Sequence, residues 1–176
     1  MQETILDTEK IYSGRVIKLV VHDVRLPDGG QAKRELVQHP GAVAMVALDG
    51  ERKVLLVRQF RMAAGQVLAE IPAGTLQPGE APDACAVREL QEETGYKPGK
   101  LEALDGFFVA PGYTTEYIHL YLATDLTESR LDGDADEFIE VQRVPFADAL
   151  AMIERGEIVD GKTIIGLLRV ARRLKL

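Results

Sequence analysis

The chain has 176 residues, enough for one domain that buries a core without disulfide or metal staples. Hydrophobic residues at 46% and charged residues at 28% exclude disordered, collagen-like and low-complexity classes, and a lone cysteine, Cys85, excludes an internal disulfide. A net charge of −7 argues against nucleic acid as a partner. The polar, acidic N-terminus lacks the layout of a secretory signal, and no apolar run approaches the ~18 residues a membrane span needs, so a cytoplasmic protein without membrane attachment is expected.

In chain order, Val16 to Val24 reads as a strand, residues 26–30 (LPDGG) as a turn, and Ala32 to Gln38 as the returning strand. Ala42 to Leu48 is a small-apolar strand. Asp49-Gly50 turns it, and Val54 to Phe60 is expected to run back as its hairpin partner. Val67 to Ile71 is a short strand stopped by Pro72. Pro82 suits the first position of a helix and Gly95 its stop, with DACAVRELQEET between them. Leu101 to Val109, Tyr117 to Ala123 and Phe138 to Val144 read as strands, with a loop at 110–115. Phe146 to Arg155 and Thr163 to Leu174 read as helices. Strands interleaved with three helices predict a mixed α/β domain over 1–176.

The acidity is local. Residues 80–93 carry net −4 and residues 125–140 net −6, which leaves +3 for the rest. On the predicted helix, Glu89, Glu92 and Glu93 crowd one stripe, where like charges cost a few tenths of a kcal/mol each. Arg88, four residues before Glu92, is placed to pair with it. Clustered carboxylates repel unless a cation compensates them, which points to a hard divalent metal. Gly74 after Pro72-Ala73 is expected to turn the chain sharply and present backbone carbonyls toward the helix.

Seven positions then fall in fixed register: Gly74, Glu80, Arg88, Glu89, Glu92, Glu93 and Gly95, with Leu90 between them and Tyr96 after. Residues 74–96 thereby resemble the Nudix box, a match expected by chance at about 10⁻⁸ per starting point given residue usage. Tyr96 is aromatic where that pattern has an aliphatic residue. The resemblance implies a Nudix-type α/β/α sandwich with a mixed sheet, plus N-terminal antiparallel strands within residues 1–40 that serve dimerisation. It implies hydrolysis of a nucleoside diphosphate linked to another group. It also implies Mg²⁺, with Mn²⁺ as an alternative, held by Glu89, Glu92, Glu93 and the Ala73 carbonyl. Arg88 then fixes the glutamates, Glu92 joins the metal cluster or its water shell, and Glu80 supports them.

Residues 57–61 (VRQFR), 70–74 (EIPAG) and 110–116 (APGYTTE) resemble the ADP-ribose pyrophosphatase branch. Pro111, 15 residues past Tyr96, matches that branch, although Ala110 stands where many relatives have Ser. The likeness implies ADP-ribose as substrate, Arg61, Glu70, Pro111 and Glu116 at its pocket, and Arg34-Glu35 reaching a neighbouring subunit's adenine site in a homodimer. The segment 132–141 (DGDADEFIEV) resembles the loop that delivers a catalytic, metal-associated glutamate, which places Glu137 there. Glu116 is a second candidate for that role, and a box glutamate a third. Two alternatives stay open: a Nudix hydrolase of another nucleotide sugar, such as a GDP-sugar, and a non-catalytic module that binds ADP-ribose.

Overall fold

In the computed structural model, residues 1–133 and 138–175 are described. The chain packs as two compact units, Met1–Gly41 with Phe108–Tyr117, and Ala42–Phe107 with Ile118–Leu176. No helix among the described residues is long and apolar enough to cross a membrane.

The first unit is an antiparallel sheet ordered β1-β2-β3, from Thr4–Ser13, Lys18–Arg25 and Gln31–Gln38. Val20, His22 and Val24 alternate along β2 and are its buried positions. The strand β1 was not legible in the sequence: all ten of its residues are exposed, and its pairing slips between Ile5 and Asp7 and again between Lys10 and Tyr12. Those irregularities break the period-2 pattern that marks a strand. The 108–117 segment closes onto the end of β3. Val37 N–H donates to the Tyr113 carbonyl at 2.8 Å, and Thr115 N–H donates to the Val37 carbonyl at 3.0 Å.

The second unit is built around β4, Ala42–Ala47, in which every residue is buried. Its neighbours are β7 (Ala73–Thr75, antiparallel) and β9 (Tyr117–Glu128, parallel), with β8 (Tyr96–Phe108) beyond, so this sheet is mixed as expected. Ala44 and Val46 face a cluster holding Leu167, Val170 and Ala171 of α3 (Gly161–Leu174) and Phe146 and Ala149 of α2 (Phe146–Glu154). Val43, Met45 and Ala47 face the other way, onto Cys85, Ala86 and Leu90 of α1 (Pro82–Thr94). One strand's alternation thus separates two helical layers, and a strand covered on both faces must read as an unbroken apolar run.

The expected hairpin between β4 and the next strand does not form. β5 (Lys53–Arg61) instead lies between β10 (Glu140–Pro145) and β6 (Gln66–Glu70) in a separate sheet. Among the described residues, Leu48–Val54 is the isolated bridge across that turn. Both edges of β4 are already taken by β7 and β9, which leaves no ladder for β5. The short strand β7 also went unread, because three residues carry no period.

Candidate active site

The helix α1 starts and stops where its sequence says. Pro82 occupies its first turn, and Gly95 takes the left-handed conformation at φ 79°, donating its N–H to the Gln91 carbonyl at 3.0 Å. Its apolar side is buried on β4, so the carboxylate stripe falls on the remaining face.

Arg88 is the hub of that stripe. Its Nε and Nη2 donate to the two oxygens of Glu80 at 2.8 and 2.9 Å, a two-pronged pairing. Its Nη1 donates to Glu89 Oε1 at 2.7 Å and to Glu92 Oε2 at 2.9 Å. One guanidinium therefore fixes three carboxylates. The Arg88 hydrogen bonds hold the Glu80 carboxyl at about 2, against the opposing pull of burial, and Gln77 N–H adds a further donor at 3.0 Å. The same partner raises Arg88 above its ordinary value. Cys85 lies beneath: burial pushes its thiol up to about 12, so it stays protonated, accepting from Arg88 Nη2 at 3.4 Å.

Glu93, 6% exposed, accepts the Ala73 N–H at 2.9 Å through Oε2. Gly74 beside it does not make a sharp turn; it is a strand residue paired with Val43 and outside the left-handed region. Its role is close approach. A Cβ built there would lie 1.9 Å from Glu89 Cδ, so only glycine leaves room for the Glu89 carboxylate against the backbone.

A second polar cluster stands at the other end of the same short segment. Glu70 is 1% exposed and accepts from Arg61 Nε and Nη2, both at 2.8 Å. Lys162 Nζ also donates to Glu70 Oε2, and it pairs with Asp160 at 3.1 Å. Burial pulls the Glu70 carboxyl upward, but Arg61 and Lys162 outweigh it and leave it below the usual range. Thr163, fully buried, accepts the Ile71 N–H at 2.8 Å and donates to Asp160 at 2.6 Å. Residues 70–74 are thus strung between the α3 N-terminus and the α1 carboxylates. Asp160, Lys162 and Thr163 went unnoticed in the sequence, where nothing local links them to Glu70. The one legible signal was Asp160 as a helix N-cap, its carboxylate accepting the Thr163 N–H at 3.0 Å.

Four further expected residues lie in the first unit. Arg34 and Glu35 are exposed on β3, with Arg34 tied to Glu3 through Nε at 3.0 Å and Nη2 at 2.5 Å. Pro111 and Glu116 lie in the segment tied to the end of β3, with Pro111 exposed and Glu116 half-buried. Glu137 lies outside the described residues.

A family model for the NUDIX domain matches residues 38–165, most of the chain. The chain belongs to the NUDIX family. It is 46% identical over 165 residues to the ADP-ribose pyrophosphatase of Bacillus subtilis (strain 168), covering 93% of this chain and 89% of that protein. It is 45% identical over 168 residues to the methanol dehydrogenase activator of Bacillus methanolicus, covering 94% and 91%. The crystal structure of an ADP compounds hydrolase superposes with a TM-score of 0.88 at 24% identity, over 99% of this chain and 95% of that one. That likeness bears out the expected α/β fold.

Nudix enzymes generally use divalent metal ions. Among the described residues, no three His, Cys, Asp or Glu side chains converge into a ready-made cluster. The contacts give a reason: Arg88 holds Glu89 and Glu92, while Glu93 turns to the Ala73 N–H. The donors themselves fit a hard cation. They are carboxylate oxygens, and the Gly74 cradle keeps one of them against backbone at no cost in clashes.

Proposed function

We propose that this NUDIX protein hydrolyses the diphosphate of ADP-ribose, taking up water and releasing AMP and ribose 5-phosphate. The observation that carries the reading is the Arg88 hub, which gathers Glu80, Glu89 and Glu92 on the helix whose Glu93 is fastened to Ala73. The substrate class is supported by the 46% identity to an ADP-ribose pyrophosphatase across nearly the whole chain.

In this reading, Glu89, Glu92, Glu93 and the Ala73 carbonyl hold Mg²⁺, with Mn²⁺ able to replace it. The bound cation neutralises phosphate oxygens and acidifies water. Arg88 keeps the glutamates oriented. Arg61, 38% exposed while its partner Glu70 is buried, offers its guanidinium to the diphosphate. Glu137 accepts the proton of the attacking water, with Glu116 as the second candidate and a box glutamate as the third. Arg34-Glu35 reaches the adenine site of a neighbouring subunit, and Pro111 and Glu116 serve substrate binding, as the likeness to ADP-ribose pyrophosphatases implies.

The test is a panel of ADP-ribose, GDP-mannose, NADH and diadenosine polyphosphates with Mg²⁺, resolved by product chromatography. ADP-ribose should give the highest kcat/KM, with AMP and ribose 5-phosphate in equal amounts. A higher kcat/KM for GDP-mannose would transfer the reading to GDP-sugars, and tight binding of ADP-ribose without turnover would make the protein a binding module.

The protein works as a cytoplasmic homodimer in this reading, joined through its N-terminal strands. Ile5, Leu6, Ile11 and Tyr12 of β1 are 41–58% exposed, an apolar load on a strand that has one partner in its sheet. Sedimentation at micromolar concentration should show a species near twice 19.4 kDa. A monomer with full activity would end both the dimer and the shared-site role of Arg34.

A further inference from the structure

We propose that Lys162 is a positioning residue for the substrate diphosphate, acting through Glu70 on Arg61. The inference rests on the pyrophosphatase reading and extends it to a residue outside the Nudix box. Glu70 is 1% exposed, and a carboxylate so buried must be met by cations or it cannot stay charged. Two cations meet it. Arg61 engages both oxygens in a fork, and Lys162, 13% exposed, adds its ammonium at Oε2.

The charge balance decides what each cation is free to do. Lys162 also touches Asp160, and Asp160 is engaged by the Thr163 N–H and hydroxyl at the positive end of α3. Those donors are neutral, so Asp160 keeps its charge, and Arg61 and Lys162 together balance Glu70 and Asp160. Arg61, at 38% exposure against 13% for Lys162, is the cation of the two placed to act outward. The Arg61 charge also lies within electrostatic range of Glu93, so this station adjoins the carboxylates assigned to the metal. Remove the Lys162 charge, and two carboxylates, Glu70 and Asp160, are left to one guanidinium, so the Arg61 charge is spent on them. The geometry of Arg61 would survive, because its two bonds to Glu70 remain, while its pull on an anion would fall.

The test uses the full chain and Lys162→Met, Lys162→Gln and Lys162→Arg, each also made with Arg61→Met. Binding of α,β-methylene-ADP and its guanosine counterpart is measured by calorimetry, beside kcat and KM for ADP-ribose and the melting temperature. Lys162→Met should weaken binding and raise KM about 10-fold with kcat within about 3-fold, and Lys162→Arg should restore both to within about 3-fold. In the Arg61→Met background, Lys162→Met should change binding by less than about 2-fold, because its effect passes through Arg61. Lys162→Gln keeps a donor without the charge, so it carries the test if the Met variant does not fold, with about 5-fold weakening expected. The inference is overturned if neutral variants bind as wild type does, if Lys162→Arg weakens binding as much as Lys162→Met, or if the effect persists without Arg61. Failure of wild type to cleave ADP-ribose would overturn the substrate reading alone, since the methylene analogues of either base still report on the diphosphate station.

Discussion

Glu93→Gln is expected to fold normally and to lose at least about 10²-fold in kcat at saturating Mg²⁺. The Glu93 carboxylate is 6% exposed and accepts the Ala73 N–H at 2.9 Å, a bond that the amide oxygen of glutamine can also accept. Volume and hydrogen bond are therefore kept, and relief of repulsion from Glu89 and Glu92 partly offsets any loss. What disappears is a negative charge at a position assigned to the metal. A ligand that contributes several kcal/mol to charge stabilisation in the transition state shows up in kcat rather than in the melting temperature. Steady-state kinetics across a Mg²⁺ titration, with a thermal melt on the same preparation, separates the two. A variant with near-normal kcat would remove Glu93 from the metal site, and one that fails to fold would make it a structural carboxylate.

The parts of this protein that could be read in advance are those whose signals are local. The helix α1 announced itself by Pro82, Gly95 and the fixed spacing of its glutamates, and Arg88 was placed beside Glu92 by a separation of four residues alone. The strand β4 was legible because its six residues, AVAMVA, are an unbroken small-apolar run, and the structure buries all of them. Its partners were not. Whether β5 returns beside β4 depends on which strands take its two edges, and those, Ala73–Thr75 and Tyr117–Glu128, lie about 30 and 75 residues away. The Glu70 station was half visible, since Arg61 and Glu70 stood in one stretch. Lys162 is 92 residues further along and joins only through folding. The strand β1 hid behind its register shifts, and with its side chains exposed it has little core pattern to display.

Gly74→Ala is expected to abolish most activity while leaving the fold in place. The sequence suggested a glycine needed for a turn, but Gly74 sits in β7 opposite Val43 with no left-handed backbone, so alanine is conformationally acceptable there. The obstacle is steric and lies on one side chain. The new Cβ would lie 1.9 Å from Glu89 Cδ and 2.2 and 2.3 Å from its two oxygens, far inside van der Waals contact. Something must shift, and the far end of a glutamate moves more cheaply than a strand held by β4. Glu89 should therefore swing out, giving up the 2.7 Å bond from Arg88 Nη1 and its place beside the backbone. Because Glu89 is assigned to the metal, a fall in kcat of about 10²-fold or more is expected, comparable to Glu89→Gln, with the melting temperature changed by only a few degrees. A double-mutant cycle isolates the cause. Once Glu89→Ala has removed the clash, adding Gly74→Ala should cost almost nothing further, a strongly non-additive pair. Additive losses in kcat would mean that Gly74 acts through the backbone of β7 instead, and a Gly74→Ala variant with wild-type kcat would remove the Glu89 position from the chemistry.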